Sequence, residues 1–313
     1  MSRENREDDE AVVVLSRLPL DQEWLRTHAP GYCFLSWQGV SEAQRVKARA
    51  VLTNGSTGMT AAEMAALPAL ELVASFGAGY ENIDRDAARA RGVQVCHAPD
   101  TNAQVVADHA LALMLAWSRG IAALDRRVKA GDWETLRAPR PGLRGKTLGV
   151  VGLGNIGGRF ADLAEAVGMR VAYLRRSGPV QPGRTPYGEV RSLASASDVL
   201  ALTCPGGPAT RHLVDADVLR ALGPDGLLVN VARGSVVDTE ALVQALRCGE
   251  VGGAALDVLD TEPLVPEALR AMDQVVLTPH MAGRSPETRV AQHEALVRNL
   301  EGWFRHGASE HPV

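Results

Sequence analysis

Residues 146–157 read KTLGVVGLGNIG, an apolar segment followed at once by three glycines in the spacing GxGxxG. The first six residues have the composition of a buried β-strand, and residues 158–167 have the pattern of a helix. Gly152 permits a tight turn, Gly154 lets the backbone approach a pyrophosphate, and Gly157 lets helix and strand pack closely. This strand–turn–helix setting predicts a dinucleotide site, because free N–H groups at a helix N-terminus bind phosphate. A merely structural glycine turn is the alternative.

Short apolar runs alternate with helical patterns along nearly the whole chain, which predicts parallel sheets with helices on both faces. Ser41 and Thr60 are each followed three residues on by Gln or Glu, as a helix-starting capping box requires. The fold class is therefore α/β, with two doubly wound sheets and an interdomain cleft. The predicted strands are residues 11–15, 33–37, 50–53, 70–75 and 93–96, then 147–151, 170–174, 199–203, 227–231, 253–257 and 275–278.

Two long helical segments indicate how the domains are arranged. Residues 105–117 (VVADHALALMLAW) predict an apolar helix buried between domains or against another subunit. Residues 286–304 predict an amphipathic helix that returns the chain to the first domain. We expect a substrate-binding domain of residues 1–100 and 286–313 and a dinucleotide-binding domain of residues 101–285.

Composition argues against several classes of function. The 313-residue chain has a formal charge of −4, so there is no basic excess to bind nucleic acid. No apolar run approaches the ~20 residues that span a bilayer, and residues 2–10 form a charged tail unlike a signal peptide. The four cysteines lie far apart without a CxxC pair, which argues against a zinc site or a disulfide framework. We expect a soluble cytoplasmic protein that uses no metal.

The second strand of the dinucleotide-binding domain bears on the choice of cofactor. Sites selective for NAD place Asp or Glu at the end of this strand, roughly 20 residues beyond the glycines. Here the strand ends in Arg175-Arg176-Ser177, which offers two guanidinium groups and a hydroxyl. Arginine suits bidentate binding of a phosphate such as the ribose 2′-phosphate. NADP(H) is therefore preferred and NAD(H) possible, the alternative being a solvated basic strand end.

Three later strands each end in residues able to do chemistry. Arg233 follows one strand, Asp257 and Glu262 follow the next, and His280 follows the last. Ligands of open α/β sheets bind outside the carboxyl ends of the strands, so these side chains can converge near a nicotinamide.

Several motifs resemble the D-isomer-specific 2-hydroxyacid dehydrogenases, in the same order along essentially the whole chain. They are VASFGAGYENID (73–84), APDTNAQVVADHALALML (98–115), VGLGNIGGR (151–159), NVARGSVVD (230–238), DVLDTEP (257–263) and TPH (278–280). Residues 204–212 (CPGGPATRH), with Arg175-Arg176-Ser177, look most like the NADPH-preferring glyoxylate/hydroxypyruvate and hydroxyphenylpyruvate reductases. The resemblance implies a flavodoxin-like substrate domain, a Rossmann dinucleotide-binding domain and a homodimer.

The same resemblance implies roles for the catalytic residues. His280 would be the general acid/base, which protonates the ketone oxygen during reduction. Glu262 would hydrogen-bond His280, orient its ring and favour its protonated form. Arg233 would hold the substrate carboxylate and polarise the ketone. The backbone amides of Ala78 and Gly79 would hold the other side of that carboxylate.

Further residues would bind the cofactor. Asp257 would hydrogen-bond the nicotinamide carboxamide, and Val106 would pack near the ring. Cys204, Pro205 and Thr210 would line the adenosine side of the groove. The other cofactor contacts implied are the glycine turn with Asn155 and Ile156, the loop residues Val231, Ala232 and Arg233, and His280 with Gly283.

The expected reaction is the NADPH-dependent, reversible reduction of a small 2-ketoacid, such as glyoxylate or hydroxypyruvate, to the D-2-hydroxyacid. Other branches of the family are alternatives, namely a 2-ketogluconate reductase or an NAD-linked phosphoglycerate-type dehydrogenase. A non-enzymatic, nicotinamide-sensing regulator is an alternative of another class. The segment after His280, MAGRS, departs from the family pattern, and we expect Met281 and Arg284 to alter the shape or charge of the pocket.

Overall fold

The computed structural model describes residues 11–134 and 137–313. Contacts divide the chain into two compact units, Met1–Asn102 with Ser285–Val313, and Ala103–Arg284. Each unit has one parallel sheet covered by helices, as the alternating sequence pattern predicts.

The first unit contains a five-stranded parallel sheet in the order β2-β1-β3-β4-β5. Leu296 and Leu300 of its last helix pack with Val14, Leu52 and Leu72 of the sheet, so this C-terminal helix belongs to the core of the unit. The strands are β1 Val12–Ser16, β2 Tyr32–Ser36, β3 Ala50–Thr53, β4 Leu72–Ser75 and β5 Gln94–Cys96. The helices are α1 Gln22–His28, α2 Glu42–Arg45, α3 Ala61–Ala65, α4 Arg85–Ala90 and α12 Pro286–His306.

The second unit contains a seven-stranded parallel sheet in the order β12-β11-β10-β9-β6-β7-β8. The strand order reverses at β6, which pairs with β7 on one side and β9 on the other, and ligands bind at such switch points. The strands are β6 Thr147–Val151, β7 Arg170–Leu174, β8 Thr185–Tyr187, β9 Val199–Leu202, β10 Leu227–Asn230, β11 Gly253–Leu256 and β12 Val275–Leu277. The helices are α5 Ala103–Arg119, α6 Ile121–Lys129, α7 Asn155–Ala166, α8 Val190–Ser195, α9 Ala216–Leu222, α10 Thr239–Cys248 and α11 Glu267–Arg270.

Local sequence signals explain several of these boundaries. The predicted capping boxes are confirmed, because the side chains of Ser41 and Thr60 each accept an amide hydrogen bond from the third residue of their helix. The helix after the glycine turn begins at Asn155 and not at residue 158, since Gly154 already caps it. β8 and α6 are not predicted by the sequence pattern.

The apolar helix predicted for residues 105–117 is α5, which extends to Ala103 and Arg119. Its buried residues, including Val106 and Ala110, pack in one core with Phe160 and Ala164 of α7. Among the described residues no single helix is long and apolar enough to cross a membrane, although α5 and α6 together, bent by 60°, pass that test of length and composition.

Candidate active site

The glycine turn after β6 has three different local environments. Gly152 has a φ of +102°, and a Cβ there would lie 2.6 Å from the amide nitrogen of Cys204. A Cβ on Gly157 would lie 2.2 Å from the carbonyl oxygen of Gly152, so this glycine lets α7 approach the turn. A Cβ on Gly154 would meet nothing within 4 Å. The open space at Gly154 is therefore room for a ligand at the helix N-terminus.

The first turn of α7 has donors to offer to such a ligand. Within the described parts of the chain, the amides of Asn155 and Ile156 donate no hydrogen bond, whereas the amide of Gly158 bonds the carbonyl of Gly154. Free amides at a helix N-terminus carry partial positive charge and bind phosphate oxygens. This arrangement fits the pyrophosphate of a dinucleotide.

A groove of about 380 Å³ opens beside the turn. Its walls come from the ends of β6, β7 and β9, which the parallel sheet brings to one edge. The structure thus brings together seven residues that the sequence assigns to the cofactor: Gly152, Arg175, Arg176, Ser177, Cys204, Pro205 and Thr210.

The two arginines lie exposed on this groove and make different contacts. The guanidinium of Arg175 donates to the carbonyl of Gly178 at 2.7 and 3.1 Å. One nitrogen of Arg176 lies 3.4 Å from the carbonyl of Ala209. Arg184 anchors the following segment to α7 through ion pairs with Asp162 and Glu165. The strand end therefore presents two cations from a segment that is tied to the helix of the glycine turn.

The opposite wall is built from the loop after β9. The hydroxyl of Thr210 donates to the carbonyl of Pro205 at 2.8 Å and thereby closes the loop. Burial raises the pKa of the Cys204 thiol, so this side chain is an uncharged part of the wall. Four more of the predicted cofactor contacts belong to the same unit. Three of them, Val106, Val231 and Ala232, are buried, and Gly283 is half-buried.

Arg233 is held by the turn that follows β10. The buried side chain of Asn230 accepts from the amide of Ala232 at 3.0 Å and donates to the carbonyl of Arg233 at 3.1 Å. Arg233 itself donates to the carbonyl of Ala232 at 2.7 Å. Gly206 leaves room for the arginine stem, because a Cβ there would lie 2.7 Å from Arg233 Cγ. Asn230 is thus a positioning residue that the sequence patterns do not single out.

The turn bearing Arg233 and the loop after β11 approach closely at Gly234. A Cβ on Gly234 would lie 1.9 Å from the carbonyl carbon of Leu259 and 2.1 Å from the amide nitrogen of Asp260. The obstacle is backbone, which cannot rotate away as a side chain can. Because Glu262 lies on the same loop as Leu259, this glycine sets the spacing between Arg233 and Glu262.

His280 and Glu262 form a hydrogen-bonded pair. His280 Nδ1 lies 2.8 Å from Glu262 Oε2, and Glu262 Oε1 accepts the amide of Leu259 at 2.9 Å. Burial acts to raise the pKa of Glu262, but the bonds from His280 and Leu259 and the charges of His280 and Arg233 outweigh it, so its pKa lies below the ordinary value. Glu262 is therefore a carboxylate at neutral pH. His280 Nε2 has no hydrogen-bond partner among the residues described, and the side chain is 37% exposed.

The backbone at His280 is held by Asp257. His280 has a φ of +50°, a conformation that costs ~1–2 kcal/mol for a residue with a Cβ. Its amide donates to the carbonyl of Asp257 at 2.8 Å. The Asp257 carboxylate accepts the Thr278 hydroxyl at 2.6 Å and the amides of Met281 and Ala282 at 2.9 Å each. Three of its four acceptor positions are thus occupied, and one remains for the predicted bond to a carboxamide.

The first unit carries the other predicted substrate contacts. The carbonyl of Ala78 accepts from His97 Nδ1 at 2.9 Å, and that of Gly79 accepts from the Ser75 hydroxyl at 2.5 Å. The amides of Ala78 and Gly79 donate no hydrogen bond to any described residue. Because both carbonyls are bonded and both amides are free, this loop is suited to bind an anion.

Comparisons with known proteins agree with this geometry. Residues 111–282 match the model of the D-isomer specific 2-hydroxyacid dehydrogenase NAD binding domain. A hydroxyphenylpyruvate reductase of Plectranthus scutellarioides is 41% identical over 262 residues, which is 82% of each chain. A glyoxylate/hydroxypyruvate reductase of Arabidopsis thaliana is 40% identical and covers 84% of each chain.

Among solved structures, the chain is similar to an NADPH-dependent glyoxylate/hydroxypyruvate reductase of Sinorhizobium meliloti in complex with NADP and malonate. The TM-score is 0.89 at 36% identity, with 97% of each chain covered. The expected fold class and the expected family are both confirmed. The chain therefore belongs to the D-isomer specific 2-hydroxyacid dehydrogenases and is an oxidoreductase of the glyoxylate/hydroxypyruvate reductase branch.

Proposed function

We propose that this protein uses NADPH to reduce a small 2-ketoacid of the glyoxylate or hydroxypyruvate type to the D-2-hydroxyacid, with His280 as the acid/base. The observation that carries the proposal is the 2.8 Å hydrogen bond between His280 Nδ1 and Glu262 Oε2, which leaves Nε2 available. The nicotinamide, when bound, supplies the hydride. The chain's own residues supply the proton, the charge that polarises the ketone, and the orientation of both.

The proton would come from His280 Nε2. With Nδ1–H donating to the Glu262 carboxylate, a second proton on Nε2 makes an imidazolium whose charge is paired with that carboxylate. As the ketone oxygen gains negative charge, Nε2–H donates its proton to it. In the reverse direction neutral Nε2 accepts the hydroxyl proton, so one residue serves both directions.

Arg233 would bind the substrate carboxylate and stabilise the developing alkoxide. Guanidinium groups bind carboxylates in bidentate fashion, and a fixed positive charge near the ketone oxygen lowers the barrier to hydride transfer. Asn230 holds the backbone of this arginine before substrate arrives, and Gly206 leaves room for its stem. The free amides of Ala78 and Gly79 support their assignment as carboxylate donors, which stays a prediction.

Replacing Glu262 by glutamine should lower kcat for reduction about 10–100-fold, because a charge-assisted hydrogen bond of ~1.5–3 kcal/mol is lost. The pKa of Glu262 lies below the ordinary value for a glutamate, so in the wild type this group is ionised at neutral pH and stays ionised until the pH falls to its lowered pKa. In E262Q no carboxylate stabilises the imidazolium, and the alkaline limb of the pH–kcat profile should move to lower pH. Steady-state rates between pH 5 and 10 measure this.

E262D provides the control, because it keeps the charge while shortening the side chain. It should lower kcat with a much smaller movement of the alkaline limb. An alkaline limb in E262Q that coincides with the wild-type limb would contradict the role given to the carboxylate.

NADPH is proposed over NADH because of the charge at the end of β7. Arg175, Arg176 and Ser177 line the groove beside the glycine turn, and they are exposed enough to meet a ligand. A ribose 2′-phosphate carries charge that two guanidiniums neutralise, whereas a free 2′-hydroxyl gains little from them. The similar Sinorhizobium meliloti enzyme, described as NADPH-dependent and crystallised with NADP, supports the same preference.

Replacing Arg175 and Arg176 together by alanine should raise KM for NADPH about 10–100-fold, since charge-assisted bonds of ~1.5–3 kcal/mol are lost. KM for NADH should change less than about threefold, an energy below ~1 kcal/mol. Arg191→Ala, which removes an exposed arginine of α8 outside the groove lining, is the control for loss of a surface positive charge. Equal increases in KM for the two nucleotides would exclude these arginines as the 2′-phosphate site.

The substrate is proposed to be small because several relatives are named for such acids, whereas the Plectranthus scutellarioides relative is named for an aromatic one. The Arabidopsis relative is named a glyoxylate/hydroxypyruvate reductase, and the loop of residues 54–58 (NGSTG) is small and polar. A panel of glyoxylate, hydroxypyruvate and 4-hydroxyphenylpyruvate with NADPH tests this. Higher kcat/KM for the aromatic acid would overturn the assignment of substrate size.

A 2-ketogluconate reductase is a second candidate, because one of that name from Gluconobacter oxydans is 39% identical over 259 residues. Adding 2-ketogluconate to the same panel separates the two. The homodimer and the cytoplasmic location remain predictions from the sequence.

A further inference from the structure

A third side chain lies behind the loop that carries His280. His109, on α5 one turn after Val106, lies with Nε2 3.0 Å from the hydroxyl oxygen of Thr278. That hydroxyl lies 2.6 Å from Asp257 Oδ1, and His109 Nε2 is itself 3.6 Å from the same carboxylate oxygen. The imidazole is only 18% exposed. Taken alone, the sequence would leave His109 as an ordinary structural histidine.

The hydrogen positions in this chain of contacts follow from valence. A hydroxyl has one hydrogen, and a carboxylate can only accept, so the Thr278 hydrogen is donated to Asp257. The hydroxyl oxygen can then only accept from His109, which must carry a hydrogen on Nε2. His109 thus fixes the direction in which the Thr278 hydroxyl donates.

This direction matters because Asp257 organises the whole segment from Thr278 to Ala282. The side chain of Asp257 is only 2% exposed, and a buried carboxylate is stable only when hydrogen-bond donors surround it. Its donors are the Thr278 hydroxyl and the amides of Met281 and Ala282, on either side of His280. Since His280 has the left-handed φ of +50°, these bonds hold it in a conformation that it would not otherwise adopt.

We infer, resting on the proposed function, that His109 is a positioning residue for the acid/base: it donates to Thr278, which together with Asp257 holds the turn that aims His280. His109 touches neither the substrate nor the reacting atoms in this account. It acts through Thr278 and Asp257 on the position from which His280 donates its proton. Its removal should therefore lower kcat and leave nucleotide binding in the groove at Gly152 unchanged.

The test compares two substitutions of His109. Leucine removes the donor while keeping an apolar side chain, whereas the amide nitrogen of glutamine can replace Nε2–H. We expect H109L to lower kcat about tenfold, with KM for NADPH within twofold of wild type. H109Q should restore kcat to within about threefold of wild type. Wild-type kcat in H109L, or equal losses in H109L and H109Q, would overturn the inference.

A second variant keeps the test decisive if H109L does not fold. Thr278→Val removes the hydroxyl at nearly constant volume and should reproduce the loss of kcat, and a wild-type kcat in T278V would overturn the inference. Where both single variants fold, the double variant should be no slower than T278V alone, because the two residues act in series. If the loss of kcat in the double variant equalled the product of the losses in H109L and T278V, the two residues would act independently and the inference would be contradicted.

His280→Ala, measured in parallel, separates this inference from the proposed function. Activity retained by H280A would remove the acid/base assignment itself. Loss of activity in H280A with no effect in H109L would overturn only the role of His109.

Discussion

Replacing His280 by alanine should lower kcat for ketoacid reduction by about 10²–10⁴-fold, the range that a positioned general acid contributes. Glu262 orients the imidazole through Nδ1, and Nε2 has no other hydrogen-bond partner in the described residues. Glu262, the other member of the pair, cannot replace His280 as the proton donor, because it is ionised at neutral pH. KM for NADPH should stay within about threefold of wild type, because most of the proposed nucleotide contacts lie at the glycine turn and the groove beside it.

His280→Asn is a useful companion variant. Asparagine tolerates the left-handed φ of this position but does not titrate between pH 5 and 10. It should therefore fold as the wild type does and be as slow as H280A. His212→Ala is the matched control, because His212 also has a left-handed φ, of +48°, yet its ring lies 3.9 Å from Asp238 and not beside Glu262. A kcat for H280N close to that of the wild type would show that the proton comes from another group.

Replacing Gly234 by alanine should both destabilise the protein and lower kcat/KM about 100-fold. The new Cβ would overlap the backbone of Leu259 and Asp260 at 1.9–2.1 Å, so one loop must move. Such overpacking typically costs ~1–3 kcal/mol in the free energy of unfolding. Because the turn carries Arg233 and the loop carries Glu262, the displacement separates the arginine proposed to bind substrate from the carboxylate that pairs with His280, and an error of about 1 Å costs ~10²-fold.

Thermal unfolding and steady-state kinetics measure the two effects separately. Gly188→Ala is the control, because Gly188 has no atom within 4 Å of a Cβ position and its φ is not left-handed. It should change stability by less than about 0.5 kcal/mol and leave kcat unchanged. If G234A kept both the wild-type midpoint of unfolding and the wild-type kcat/KM, the close approach of the two loops would have no functional role.

Much of this arrangement could be predicted because it depends on local chemistry. The strand at Thr147–Val151 is a continuous apolar run ended by Gly152, and the helix starts at Ser41 and Thr60 depend on residues three positions apart. Arg233, Glu262 and His280 each follow a strand, and the parallel sheet places such positions at one edge. These features are visible in short stretches of sequence.

Other features depend on residues that are distant in sequence. Nothing near Gly234 indicates that the backbone of Leu259 lies against it, and nothing near His109 indicates a contact with Thr278. β8 gives no clear signal in the sequence because Thr185–Tyr187 is a short, exposed edge strand that contains a proline. The start of α7 at Asn155 differs from the predicted residue 158 because its N-cap is Gly154, which has no side chain by which a cap could be recognised.

The most direct test of the account is the kcat/KM of the purified wild-type protein for hydroxypyruvate, measured separately with NADPH and NADH. We expect NADPH to be favoured at least about tenfold, or ~1.4 kcal/mol, with the D-enantiomer of the hydroxyacid as product. Preference for NADH, formation of the L-enantiomer, or no oxidation of either nucleotide with hydroxypyruvate or glyoxylate would contradict it.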